Sequence, residues 1–369
     1  MSRGETRTAA LFPPAVSMLE RLGAWASLDA LCAPLSAIRL VDATGHLLRA
    51  PEVVFSAADI GHADLGRNVP NEALCRALAA AGRVLGVEVV ENGRVEAVEP
   101  GEDAVAVELA GGRRMTVALV VAADGRNSIV RRAAGIDVRR WRYDQSALAC
   151  SFAHSRPHRG VSTELHGTAG PCTTVPLPGN ASSLVWMDRP AAIERVASLT
   201  EEDFLAALAA RLGGLLGTLH SLGPRRVFPL EGLVAERMGA RRVALVGEAA
   251  HALPPIGAQG LNLGLVDAAV LADLACAARR TGEDIGSDRL LAAYSAARVG
   301  DVRRRVGAVD LLNRSLEPMY APLGLARGAG LHVLAAMPAL RRRLMLEGLY
   351  PPAPIPSLMR GSTRVVRVL

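Results

Sequence analysis

The chain has 369 residues, 50% of them hydrophobic, a formal net charge of +6 and only 3% aromatic side chains. That length exceeds what one hydrophobic core usually serves, so two lobes are expected. All 42 Lys-plus-Arg side chains are Arg, and no aromatic residues interleave with them to stack on bases, so nucleic acid is not expected as a partner. The five cysteines, Cys32, Cys75, Cys150, Cys172 and Cys276, form no CxxC pair and leave one over in any pairing. This fits a reducing cytosol and suggests no metal site.

Residues 12–31 space Val16, Leu19, Leu22, Trp25 and Leu28 three apart behind Pro13 and Pro14, which predicts a first helix. Residues 36–58 carry two apolar runs around Thr44-Gly45, a predicted hairpin. Residues 68–82 read as a helix stopped at Gly82. Several strands follow, joined by Pro-Gly and Gly-Gly turns and ending in the buried run "ALVVAADG". Residues 137–232 keep strand-and-turn character around one helix at 201–213, and from 241 the chain returns to strand, turn and long helix. The N-terminus has no signal-peptide core, and no run reaches the length of a spanning helix. The closest approach, residues 319–340, carries Arg327 and breaks at Pro322 and Pro338, as a packed or membrane-surface helix would.

Two stretches carry chemistry. "VVAADGRNSIVRRAAGI", residues 120–136, places Asp124 and Gly125 where a buried strand leaves its sheet, with Asn127 or Ser128 set to cap the next helix. Asp-Gly after a strand is also an ordinary turn, and Arg126, Arg131 and Arg132 would suit either phosphates or a solvated helix face. "GEAAHALPPIGAQGLNLGL", residues 247–265, is a strand exit, a glycine-rich turn and a helix start. Gly247, Gly257, Gly260 and Gly264 permit close backbone approach or tight strand–helix packing, and the helix amides from Gln259 to Asn262 would stabilise an anion such as the pyrimidine edge of a reduced flavin. Glu248 could hydrogen-bond a chain of hydroxyls.

Together these stretches resemble the flavin-dependent aromatic hydroxylases with a p-hydroxybenzoate-hydroxylase-like fold. With "RTAALFPPAVSMLERLGAW", "GRNVPNEAL" and "RVGAVDLLNRSL", they are similar to the branch that serves ubiquinone biosynthesis. The resemblance implies an α/β (α+β) fold: a Rossmann-like FAD-binding lobe from residues 1–34, 69–136 and 233–300, interleaved with a β-sheet substrate lobe from 35–68 and 137–232. A helical region from 301–369 would complete it. It implies that Arg7, Asp124 and Gly125 border the FAD phosphates, with Asp124 and Gly125 also near the approach of NAD(P)H. Asn71 and Gly247 would contact the cofactor, and Glu248, where the family has Asp, would bond the ribityl chain. Pro254 and Pro255 would line the flavin face, and Gln259, Gly260, Leu261 and Asn262 would face its pyrimidine edge. The place of His251 inside the motif points to a structural hydrogen bond rather than a base.

The family's opening strand–GxGxxG–helix–strand unit has no counterpart here. Residues 1–6 are too few for it, and "GAGLHV" at 328–333 is only a partial fingerprint within a helical stretch. The sequence is therefore expected to be truncated relative to its family, with an incomplete Rossmann-like lobe. The resemblance implies hydroxylation of a polyprenylated phenol or quinol with FAD, NAD(P)H and O2. A lipid-tailed aromatic substrate, a ubiquinone-biosynthesis complex and a cytoplasmic location, peripheral on the inner face of a membrane, go with it. Arg341 to Arg343, Arg360, Arg364 and Arg367 give the C-terminus a basic end suited to anionic lipid or to water. The competing readings are a FAD-deficient scaffold or accessory subunit, an inactive fragment, or another flavoenzyme such as a halogenase or prenyl reductase; no WxWxIP-like stretch supports halogenation.

Overall fold

The computed structural model describes residues 7–44, 50–91, 93–316 and 321–361, with the side chains of 321–325 excepted. The chain forms two compact units. The first comprises Met1–Ala81, Tyr143–Leu230 and Leu311–Tyr350, and the second Gly82–Arg142, Glu231–Asp310 and Pro351–Leu369.

In the first unit a mixed sheet runs in the order Val53–Ser56, Ala37–Asp42, Val161–Gly167, Gly170–Leu177, Ala181–Asp188 and the later part of Val138–His154. Ala37–Asp42 and Val161–Gly167 are parallel and the other neighbours antiparallel. Side chains alternate across such a sheet, and Leu148, Cys150 and Phe152 recur at every second residue. Register aligns them with Leu184, Trp186, Cys172 and Leu165 on one apolar face. The helices Pro190–Ala197 and Glu201–Leu212 close over that face with Ile193, Phe204, Leu208 and Leu212. Each large side chain buried there contributes about 1.5–3 kcal/mol. Only the second of these helices was expected. It starts at Thr200, whose Oγ1 accepts from Asp203 N, and stops at the left-handed Gly213.

Two other helices differ from the expected bounds. The helix expected over 12–31 spans only Pro13–Arg21, because Gly23 turns left-handed at φ +72° and Ala24 N donates back to Leu19 O at 2.9 Å. The helix expected over 68–82 begins at Asn71 and continues past Gly82 to Val84, since Arg67–Pro70 pairs as a strand with Thr8–Leu11. The two runs of the expected 36–58 hairpin do pair, as Ala37–Asp42 with Val53–Ser56. Its turn falls at residues 45–49, outside the described residues.

In the second unit Val95–Pro100, Val105–Leu109 and Arg114–Val117 form an antiparallel sheet, and Val120–Ala122 pairs in parallel with Val243–Leu245. Val243, Ala244 and Leu245 are fully buried and anchor a core with the helices Gln259–Arg280 and Asp288–Arg314; Tyr294 Oη donates to Leu245 O at 2.7 Å. Gly232 lies flat against the indole of Trp141, where a Cβ would overlap the ring. Gly232→Ala is therefore expected to destabilise the protein by about 1–3 kcal/mol in urea unfolding, an overpacking effect.

Gln259–Arg280 is the helix among the described residues that is long and apolar enough to cross a membrane, a correction to the expectation that no run reaches that length and that residues 319–340 come closest. Its Leu263, Leu271 and Ala278 belong to the second unit's core and its Asp267 is fully buried in a salt bridge. The "GAGLHV" stretch lies inside the helix Ala321–Ala336, away from any strand-to-helix turn. Of the C-terminal arginines, Arg341 pairs with Asp59 and Arg343 with Glu347, while Arg364 and Arg367 lie outside the described residues.

Candidate functional site

The site in the second unit is built on one parallel pair. Val243 lies opposite Val120 and Leu245 opposite Ala122, and Val246 N donates to Ala122 O at 3.0 Å. Both strands therefore leave the sheet at the same edge, the edge where open α/β sheets take ligands. Asp124-Gly125 and Gly247-Glu248, far apart in sequence, emerge side by side, with Gly125 at φ +83° and Gly247 at φ +57°.

The polar groups at this edge are mutually tied. The Asp124 carboxylate accepts from Ile129 N at 2.9 Å and Val130 N at 3.4 Å, while Ser128 Oγ accepts from Arg131 N at 2.8 Å, so both residues cap the short helix Ile129–Ala133. Arg126 grips Glu248 with two hydrogen bonds, at 3.0 and 3.2 Å. Arg131 is buried and donates to the carbonyls of Ala249 at 2.7 Å and Arg126 at 2.9 Å, and Arg132 donates to Asn127 O at 2.9 Å. The three arginines thus brace the two turns. The Arg126–Glu248 pair is partly exposed, at 33% and 56%, and such pairs are worth about 0–1 kcal/mol. Glu248→Gln is expected to shift the urea midpoint by less than that amount, so any loss of FAD affinity in this variant would report contact with the ligand.

From Glu248 the chain passes through a 3-10 turn and His251-Ala252 to the proline–glycine loop. Pro254 is buried and Pro255 exposed. Gly257 at φ +62° and Ala258 at φ +54° swing the chain into the Gln259–Arg280 helix, where the N-cap residue Ala258 supplies no side-chain cap. The first-turn amides of Gln259, Gly260, Leu261 and Asn262 lie at the positive end of a 22-residue helix. The Asn262 side chain turns inward, its Nδ2 donating to Ala258 O at 2.8 Å, while Leu261 is 41% exposed.

The glycines divide by role. A Cβ at Gly264 would stand 3.1 Å from Gly247 Cα, so that pair serves tight packing. Cβ atoms at Gly125, Gly247, Gly257 and Gly260 would meet nothing within 4 Å. Open space before Gly260, at the positive end of the helix, fits the edge of a planar, electron-rich group such as the flavin ring of FAD.

Beneath the loop lies a buried network that sequence reasoning missed. Asp267, fully buried, accepts from Gly247 N at 3.1 Å, contacts His251 Nε2 at 2.6 Å and accepts from Arg298 Nε at 2.8 Å. Arg298 also binds Asp301 at 3.0 Å, Asp301 accepts from Arg305 Nε at 3.0 Å, and Arg305 Nη1 donates to Gln259 Oε1 at 2.7 Å. The chain of bonds closes through Gln259 Nε2 to Gly257 O at 3.2 Å. Burial alone would lower the Arg298 pKa, but Asp267 and Asp301 outweigh it and raise it. Burial would likewise raise the Asp301 pKa, but Arg305 and Arg298 hold it below its usual range. The network fixes both ends of the loop, Gly247 and Gln259, and gives His251 its structural hydrogen bond. Asp267 at the centre of the apolar run "LNLGLVDAAVL" was the available signal.

Arg7 and Asn71 belong to the first unit, where they meet each other: Asn71 N donates to Arg7 O at 3.0 Å. Asn71 Oδ1 is buried and has no hydrogen-bond partner among the described residues, leaving an acceptor for a ligand donor.

The FAD binding domain family matches residues 4–307. Ubiquinone hydroxylase UbiL of Rhodospirillum rubrum is 37% identical over 349 residues, covering 93% of this chain and 80% of that protein. The 3-demethoxyubiquinol 3-hydroxylase of Escherichia coli is 31% identical over 350 residues, covering 93% and 87%. PqsL, a probable FAD-dependent monooxygenase from Pseudomonas aeruginosa, superposes with a TM-score of 0.72 at 26% identity, over 89% of this chain and 90% of that one. The chain therefore belongs to the FAD-binding domain family, in the group that holds these hydroxylases.

Proposed function

We propose that this protein is a flavin-dependent monooxygenase that hydroxylates the ring of a polyprenylated phenol or quinol in ubiquinone biosynthesis. The observation that carries the reading is the N-terminus of the Gln259–Arg280 helix, with open space before Gly260, beside the paired strand exits at Asp124-Gly125 and Gly247-Glu248. The two hydroxylase relatives supply the substrate class. Bound FAD, with NAD(P)H as the reductant, supplies the electrons that reduce O2, one oxygen atom entering the ring and the other leaving as water.

The residues bind and orient. The amides of Gln259, Gly260, Leu261 and Asn262 stabilise negative charge at the pyrimidine edge without reorganising, because the Asp267–Arg298–Asp301–Arg305 network holds their loop. Glu248 would accept from ribityl hydroxyls and Gly125 would let the pyrophosphate approach; in the first unit, Asn71 Oδ1 would offer an acceptor beside Arg7. Pro254 and Pro255 give an apolar wall that sheds water from the reacting face. A lipid-tailed substrate would bring the protein to the inner face of a membrane, within a complex of enzymes for the same pathway.

The test is to purify the chain, measure flavin absorbance after gel filtration, and trace labelled O2 into the product of a prenylated phenol. Stoichiometric FAD and one labelled ring oxygen are expected. A colourless protein that takes up no added FAD would instead support the scaffold reading, and FAD with an unlabelled or halogenated product would overturn the hydroxylase assignment.

A further inference from the structure

In the first unit, the sheet face away from the Glu201–Leu212 helix carries ionisable groups that the flavin reading leaves unused. Leu165 points to the helix-covered core, so Ser162, Glu164 and His166 point to the other face. Register sets Leu40 beside Glu164 and Asp42 beside His166. Glu164 and His166 are 6% and 1% exposed, with Glu164 Oε2 3.3 Å from His166 Nε2. The helix Ala321–Ala336 covers this face: Leu331 packs on Val53 and Ala50 with Leu334, Leu40 and Phe55 around them. One turn earlier, Arg327 brings its guanidinium to 3.9 Å from Asp42, its side chain 9% exposed.

Three buried nitrogens here have no hydrogen-bond partner among the described residues: Nδ1 of His166 and Nε and Nη1 of Arg327. Leaving such groups unsatisfied costs about 1–3 kcal/mol each, so a cluster of them beside an apolar wall marks a ligand position. Their chemistry defines the ligand. With Nε2–H donated to the Glu164 carboxylate, Nδ1 of neutral His166 is a bare lone pair, a proton acceptor. Arg327 offers two donors and a positive charge to an oxygen. Among the described residues Glu164 pairs with His166 and with no arginine.

Resting on the function proposed above, we propose that Arg327 and His166 form the subsite for the phenolic oxygen of the aromatic substrate. The O–H bond breaks, its proton passes to His166 Nδ1, and the electron pair stays on the oxygen as a phenolate held by Arg327; no electron is transferred. Glu164 is the positioning residue for His166. Among the described residues, the other charged group that these strands set on this face is Asp42, from the neighbouring strand. Burial would raise its pKa, but the Thr44 hydroxyl, the amides of Ala50 and Thr44 and the Arg327 charge hold it below its usual value. Arg39 and Arg211 lie on the opposite face, against Thr163 and Trp186.

The test is a spectral titration of the FAD-loaded protein with 4-nitrophenol, whose absorbance distinguishes phenol from phenolate without turnover. The bound probe is expected to ionise at lower pH than the free probe. Arg327→Leu should lower phenolate affinity at least tenfold, and Glu164→Gln should move ionisation of the bound probe back towards its free value. Arg39→Leu, on the opposite face, should leave both unchanged. Unchanged circular dichroism and FAD content in all three variants establish that they fold. Absence of binding to the wild type, an unshifted bound probe, or a shift retained in both Arg327→Leu and Glu164→Gln would overturn the subsite. Failure of the hydroxylase reading would show separately, in the flavin content and oxygen label of the wild type.

Discussion

Asp267→Asn is expected to lower stability by about 3–5 kcal/mol, measured as a fall in the urea midpoint with little change in slope. Asp267 is fully buried and neutralises Arg298, itself 1% exposed, at 2.8 Å. Asparagine can still meet the Gly247 amide or His251 but carries no charge, so Arg298 is left with Asp301 alone, and Asp301 is already shared with Arg304 and Arg305. A buried guanidinium with half its compensation is the expensive product of this change. Because Asp267 also holds Gly247, FAD affinity should fall with stability. A midpoint shift equivalent to less than about 1 kcal/mol would show that the network does not carry the loop. The same network gives a pH response. The folded-state pKa of Asp301 lies below its unfolded value, so its contribution is present above the unfolded pKa and is lost as pH falls through the folded one. Unfolding at acid pH should therefore be less steep in Asp301→Asn than in the wild type.

Gly260→Leu should abolish or weaken FAD binding at least tenfold while leaving the apo protein as stable as before. A Cβ at this position meets nothing within 4 Å, and Gly260 sits in the first turn of a helix where leucine is favoured over glycine by up to about 1 kcal/mol. The side chain would fill only the space in front of the amides, and displacing a ligand by that bulk costs about 1–3 kcal/mol. Gly264→Ala is the contrasting case. Its Cβ would stand 3.1 Å from Gly247 Cα, so backbone must yield and both stability and FAD affinity should fall. Isothermal titration of apo protein with FAD, paired with urea unfolding, separates the two glycines. Retention of full FAD affinity by Gly260→Leu would place the cofactor elsewhere.

The signals that the sequence carries by itself are local ones. Alternation in 148–152 and the apolar runs ending at Ala122 and Leu245 are legible as strands because period and burial coincide over a few residues. The two motifs bordering the site are legible because a strand exit, left-handed glycines and a helix start are each written in adjacent residues. Helix ends were less legible: Gly23 stops one helix early, whereas Gly82 does not stop another. Only the tertiary structure decided the rest. The parallel pairing of Val120 with Val243 brings Arg126 onto Glu248 across more than a hundred residues, and no local period encodes that register. Asp267, Arg298 and Arg305 sit on two helices whose facing sides are set by packing, so their charges read as scattered until the helices meet. Glu164 and His166 alternate with apolar residues as any solvated strand face would. Burial by the Ala321–Ala336 helix, which begins more than 150 residues later, turns that ordinary pattern into a shielded pair of ionisable groups.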